Sequence, residues 1–146
     1  MSRLPTIAAD LAEQLNNCSA NQLRKVASAA ALLAVDRTNL VDPRLDGALA
    51  TIRDSARGDR SECSNALRVT EELDERAWDI REKVDDGTLP KHACLEAFRK
   101  ARAAASVGFA LEPNPLQAAL EAVHEARAAA ADLEAVRAAI DSVLMD

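Results

Sequence analysis

Residue types able to do chemistry are sparse in this chain. Three cysteines (Cys18, Cys63, Cys94) and two histidines (His92, His124) are scattered through 146 residues. The cysteines are odd in number and widely spaced, matching neither a disulfide framework nor zinc-ligand spacing. They read as small buried thiols in a reducing compartment. His92 and Cys94 stand two apart at a helix start and point to different faces, which argues against a thiolate–imidazole pair within that helix. Glu121-Ala-Val-His124 matches the Glu-x-x-His step of carboxylate-bridged di-iron bundles. Such sites need a second motif of this kind and two further inward glutamates. Asp36, Asn39, Asp42 and Asp46 offer oxygen ligands but lack the alternation, central glycine and closing glutamate of an EF-hand. With four glycines and no phosphate-cradling glycine motif, no catalytic residue, metal or cofactor is expected.

The one side-chain constellation with functional content is a tryptophan among carboxylates. Residues 71–86 carry eight acids against three bases. Trp78, the only tryptophan, shares its helix side with Glu71, Asp74, Glu75, Arg81, Glu82 and Asp85 at steps of three, four and seven, a predominantly acidic stripe. An aromatic ringed by carboxylates suits a basic protein partner: the ring supplies affinity and the charge steers the encounter. The competing reading is a Trp78 buried by a second helix layer, with the acids solvating a helix edge.

The element that must carry this stripe spans residues 59–86. Cys63, Ala66, Thr70, Leu73, Ala77, Ile80 and Val84 recur at alternating steps of three and four, a heptad seam about 40 Å long. It opens with Asp59 and Glu62 in capping-box positions and ends at Asp85-Asp86-Gly87. Exposed pairs Glu72/Arg76 and Asp79/Lys83 are expected along it. Leu4, Ile7, Leu11 and Leu15 predict a first helix, with Pro5 in its first turn. Ser19 and Gln22 form a capping box for a second, central helix burying Leu23, Val26, Ala30 and Leu33. Asp42-Pro43 starts a third, with Leu45, Leu49, Ile52 and Ala56 inward and Gly58 as its C′ residue. Arg37 or Arg44 is expected to pair with the acids of 36–46. Thr88-Leu-Pro90 starts a fifth, with Leu95, Phe98, Ala101, Ala105 and Phe109 inward and Gly108 at a close helix contact. Asn114 caps the last segment, with Pro115 at N1, read as one continuous helix to about residue 144; a separate last helix capped by Asp132 is the alternative. Short connections imply antiparallel neighbours.

Composition agrees with an all-α fold. Alanine supplies 32 residues, aromatics only 2%, and no alternating β-branched run exists. The expectation is one domain over 1–146: an antiparallel bundle of five to seven helices with the long heptad-patterned helix at its centre. The formal charge is −6, with residues 1–58 near neutral and 59–146 strongly acidic. Acidity opposes nucleic-acid binding, and the helix-turn-helix layout of residues 7–30 offers only Arg24 and Lys25 near its second helix start. No run approaches the ~20 apolar residues a membrane span needs, so a cytoplasmic protein is expected. Fourteen Arg against four Lys, with the alanine richness, suggest a GC-rich bacterial genome.

The runs DPRLDGAL (42–49), EELDERAWDIRE (71–82) and FRKARAAASVGFAL (98–111) resemble small helical bacterial proteins of unassigned function. Some proteins of that kind are labelled immunity-type or accessory proteins beside toxins. The resemblance implies a non-enzymatic interaction module and carries over no site residues. Together with the Trp78 stripe it predicts binding to a basic protein. A small-molecule- or metal-binding bundle and a homodimer joined along the heptad seam are the alternatives.

Overall fold

A computed structural model describes residues 8–55 and 57–145. Among them are seven α-helices: α1 (Ala9–Asn16), α2 (Ala20–Thr38), α3 (Asp46–Ser55), α4 (Arg60–Asp85), α5 (Lys91–Ala110), α6 (Pro115–Ala130) and α7 (Leu133–Leu144). A 3-10 turn, Pro43–Leu45, leads into α3. No strand occurs among the described residues, so the all-α bundle stands.

The helix starts follow local chemistry. Ser19 and Gln22 exchange their side-chain bonds in a full capping box at α2. Asp59 accepts from the Glu62 N–H, Asn114 from the Gln117 N–H and Asp132 from the Ala135 N–H. Each supplies an acceptor to a backbone donor left open in the first turn. The expected first helix is described only from Ala9; Leu4, Pro5 and Ile7 lie outside the described residues, as does Ala56.

The core is closed by α2, α5 and α6, which lie against one another and against α1 and α7. Alanine dominates it. Ala27, Ala30, Ala31 and Ala34 of α2, Ala103 and Ala104 of α5, and Ala118, Ala119 and Ala122 of α6 are fully buried. Short side chains let helix axes approach, while Leu11, Leu15, Val26, Leu111, Val123 and Ile140 fill the remaining space. Gly108 sits where α4 presses on α5: an added Cβ would lie 2.7 Å from Leu67 Cδ2. Ser106 Oγ donates to the Ala122 carbonyl at 2.8 Å and sets the α5–α6 register.

Three expectations are corrected. Residues 115–144 form two helices, because Ala131 adopts the left-handed conformation (φ 54°) and Asp132 caps a new helix. Asp132 breaks the run because its carboxylate offers the backbone a bond outside the helical ladder. Gly58 does not take a positive φ at the end of α3. Its missing Cβ instead makes space: Arg24 Nη2 and the Glu112 carbonyl lie 2.9 and 3.0 Å from where one would be. Arg24 uses that space to donate to the Ala110 and Pro113 carbonyls, binding α2 to the α5–α6 turn. Leu95 and Phe98 point outward, for a reason that defines the site.

Candidate functional site

The long helix outruns its neighbours. By rise per residue α4 is about 39 Å, α5 about 30 Å and α6 only about 24 Å. α5 and α6 run antiparallel, with Ser106 against Ala122 and Arg102 Nη1 2.9 Å from Glu125 Oε2. At that register α6 ends opposite about residue 98 of α5. Beyond it the second half of α4 and the first half of α5 continue as an arm, with the end of α2 (Arg37, Thr38, Asn39) beside Glu96, Arg99 and Lys100 at its base. Along α4, Cys63, Ala66, Val69 and Thr70 are buried, whereas in the arm only Ala77 is, and Leu73, Ile80 and Val84 are half-buried. The heptad seam is therefore real throughout but covered by α5 alone in its second half.

On the side where α6 has ended, the arm carries an open groove of ≈ 420 Å³ between Trp78 and Ala77 of α4 and Cys94, Leu95 and Phe98 of α5. Trp78 is 63% exposed, Leu95 48% and Phe98 44%. This answers the choice between a buried and a surface tryptophan in favour of the surface. The Arg81 guanidinium lies 5.3 Å from the Trp78 ring centroid and that of Arg102 lies 5.6 Å from Phe98. Both sit at cation–π distance of the rings that line the groove. Arg81 and Lys91 border the end nearest the arm's tip, and Asp74 the end nearest the bundle.

At its foot the groove meets a wider cleft of ≈ 520 Å³ with Glu71, Asp74, Glu112, Glu121 and Glu125 around Arg102. Arg102 knits three helices. Its Nη2 donates to both Asp74 oxygens at 2.7 and 2.8 Å, and its Nη1 to Glu125. The Glu125 side chain is only 2% exposed, so the guanidinium faces a carboxylate withdrawn from water.

The carboxylates singled out in the sequence are thus divided. Glu71, Glu75, Glu82 and Asp85 are exposed beside Trp78, whereas Asp74 is half-buried and engaged by Arg102. Glu72 of the expected Glu72/Arg76 pair bonds Arg44, which also pairs with Asp42. The Glu121-x-x-His124 step is split in burial: Glu121 is buried on the cleft and His124 half-buried. Among the described residues no group of three or more His, Cys, Asp or Glu side chains is arranged to hold a metal ion. Burial pushes the Cys63 thiol up, and the Glu112 and Asp59 charges push it further; burial alone raises Cys18. Both therefore remain thiols at neutral pH, a poor state for a nucleophile. His92 is exposed at the start of α5 and Cys94 half-buried in the groove.

Arg81 lies beside Trp78 as the helical steps placed it, whereas Lys91, Leu95 and Phe98 belong to the groove although the residue pattern did not assign them to it. Leu95 and Phe98 lie on the stripe of α5 that runs on to buried Ala101 and Ala105, so periodicity alone makes them core. The only available signal was the shortness of α6. No family model matches the chain, and no curated protein or solved structure matches it.

Proposed function

We propose that the chain is a non-enzymatic protein-interaction module of the immunity or accessory kind, acting in the cytoplasm, that binds a basic protein through the acidic face of α4. The observation that carries the reading is the exposed row Glu71, Glu75, Glu82 and Asp85 beside a tryptophan 63% exposed on a projecting arm. Unpaired surface acids contribute little to stability but create a local negative potential that raises the encounter rate with positive surfaces. Trp78 then loses its water against the partner, the usual source of affinity at such a centre. The consequence is occlusion: a basic surface covered by the arm is closed to anything else that needs it. No helix of the described residues is long and apolar enough to cross a membrane.

The test uses the tagged full chain to capture partners from its own cells at low salt, beside the triple variant Glu71→Lys/Glu75→Lys/Glu82→Lys. One basic partner, released as salt rises and absent from the variant, is the expected result. Circular dichroism of the variant should be unchanged, because these side chains are exposed. Equal capture by both proteins overturns the acidic-face mechanism.

A further inference from the structure

We propose that the cleft between the end of α2 and the middle of α5 binds a phosphate dianion, free or carried on a small molecule, between Arg37, Arg99 and Lys100. The inference is independent of the proposed function, since this cleft and the Trp78 groove share no lining residue.

Arg99 and Lys100 stand three and four residues after Glu96, so all three share one side of α5. Arg37 reaches the same place from the last turn of α2. The cleft between them is ≈ 300 Å³ and is completed by Thr38 and Asn39. Three bases there meet one acid, Glu96; Asp36, exposed beside Arg37 in the sequence, does not line it. In a chain of formal charge −6 this is a local reversal of sign.

Bases at a helix end ordinarily answer open carbonyls. Here the chain's own donors already do so. The Thr38 hydroxyl donates to the Ala34 and Val35 carbonyls, and the Asn39 and Leu40 N–H groups to those of Asp36 and Val35. Nor are these bases engaged by carboxylates, as Arg44, Arg102 and Arg137 are. Among the described residues none of the three has an ion-pair partner. Arg99 is half-buried, and its Nε is out of contact with water and has no acceptor among the described residues. Packing therefore holds this guanidinium in place, and a group already held loses little freedom when a ligand arrives.

The class of ligand follows from the charge count. Three positive charges against one negative leave two, which a phosphate dianion matches and a carboxylate only half fills. Guanidinium forks suit phosphate oxygens in particular, and here two of them come from different helices. A nucleic-acid strand would need a basic track running on from the cleft, whereas residues 59–146 as a whole are strongly acidic. The fitting ligand is therefore small.

Amide NMR of the full chain, titrated with methyl phosphate at constant ionic strength, tests this. The expected result is saturable shifts confined to residues 36–40 and 96–101, half-complete at about 1 mM. Acetate, with half the charge, should bind at least about tenfold more weakly. The variant Arg37→Gln/Lys100→Gln should lose the saturable shifts with unchanged circular dichroism, since both side chains are exposed. Glu96→Gln should bind about threefold more tightly, because it removes the one like charge facing the ligand. Inorganic phosphate in place of methyl phosphate separates the two sources. Tighter binding of the ester identifies a carried phosphate group and tighter binding of the ion identifies free phosphate, and either order supports the dianion site. Shifts that do not saturate, that acetate reproduces, or that survive the double variant overturn the proposal.

Discussion

The base of the bundle and its arm are made of the same helices yet are held together differently. In the base, α5 is enclosed by α2, α4 and α6, and Ala101 through Gly108 contains almost no exposed side chain. In the arm, α5 has α4 along one side and the end of α2 beside Glu96, Arg99 and Lys100, and Leu95 and Phe98 are open to water. Two helices cannot bury a third face, so the arm retains unburied apolar surface that the base has used up. The difference teaches where stability and recognition reside: the base provides the folding energy and the arm spends little of it, leaving its side chains available to a partner.

The sharpest test of that division is Arg102, which stands at the junction. Replacing it with Ala takes the guanidinium from Glu125, whose side chain is only 2% exposed, and should cost about 3–5 kcal/mol in urea unfolding. A cost under about 1 kcal/mol would show that water reaches Glu125 and that the base is looser than its burial implies.

A matched pair comes next. Leu111→Ala in the base removes a fully buried side chain and should cost about 2–5 kcal/mol, while Ile80→Ala in the arm, half-buried to begin with, should cost about 1 kcal/mol. Equal costs would abolish the distinction. Amide exchange should agree, with the arm's backbone exchanging before that of α6.

The glycines separate the regions by a different route. Gly108→Ala forces a methyl into Leu67 and should destabilise by about 1–3 kcal/mol. Gly87 at the arm's tip has nothing within 4 Å but a φ of +85°, so Gly87→Ala should cost only the backbone penalty of about 1–2 kcal/mol. Both are read from the shift in unfolding midpoint at unchanged slope.

The smallest effect is pH-dependent and concerns the edge of the base. Arg137 donates to both oxygens of Asp10, tying α7 to α1, and holds that carboxyl below its ordinary value of 3.8. A carboxyl depressed in the folded state contributes its stability above the unfolded value, and the contribution disappears as pH falls through the lowered one. Protection of the α1 amides, each rate taken relative to the free-chain rate at the same pH, should therefore fall on acidification below 3.8, and Asp10→Asn should remove that dependence.

Much of the fold was legible because it depends on near neighbours. The caps at Ser19, Asp59 and Asn114 require only a side chain three residues from the donor it serves. The seam from Cys63 to Val84 requires only the helical period. The outer row of Glu71, Glu75, Glu82 and Asp85 was readable for the same reason. The break at Ala131 was not, since alanine is the best helix former and nothing in its type favours a left-handed turn; Asp132, one residue on, carried the signal. Gly58 was misassigned because a glycine that makes room and a glycine that turns the chain look alike in sequence.

What the sequence by itself determined is the set of helices, their capped starts and the faces they offer, all consequences of bonds and periods spanning a few residues. What only the tertiary structure decided is which of those faces are covered. Leu95 and Phe98 share a stripe with buried Ala101 and Ala105, and what exposes them is the end of α6, a helix that begins twenty residues downstream of Leu95. Asp74 lost its place in the acidic row because Arg102, 28 residues away, reaches it. Exposure is a property of assembled lengths and registers, and no local pattern contains it.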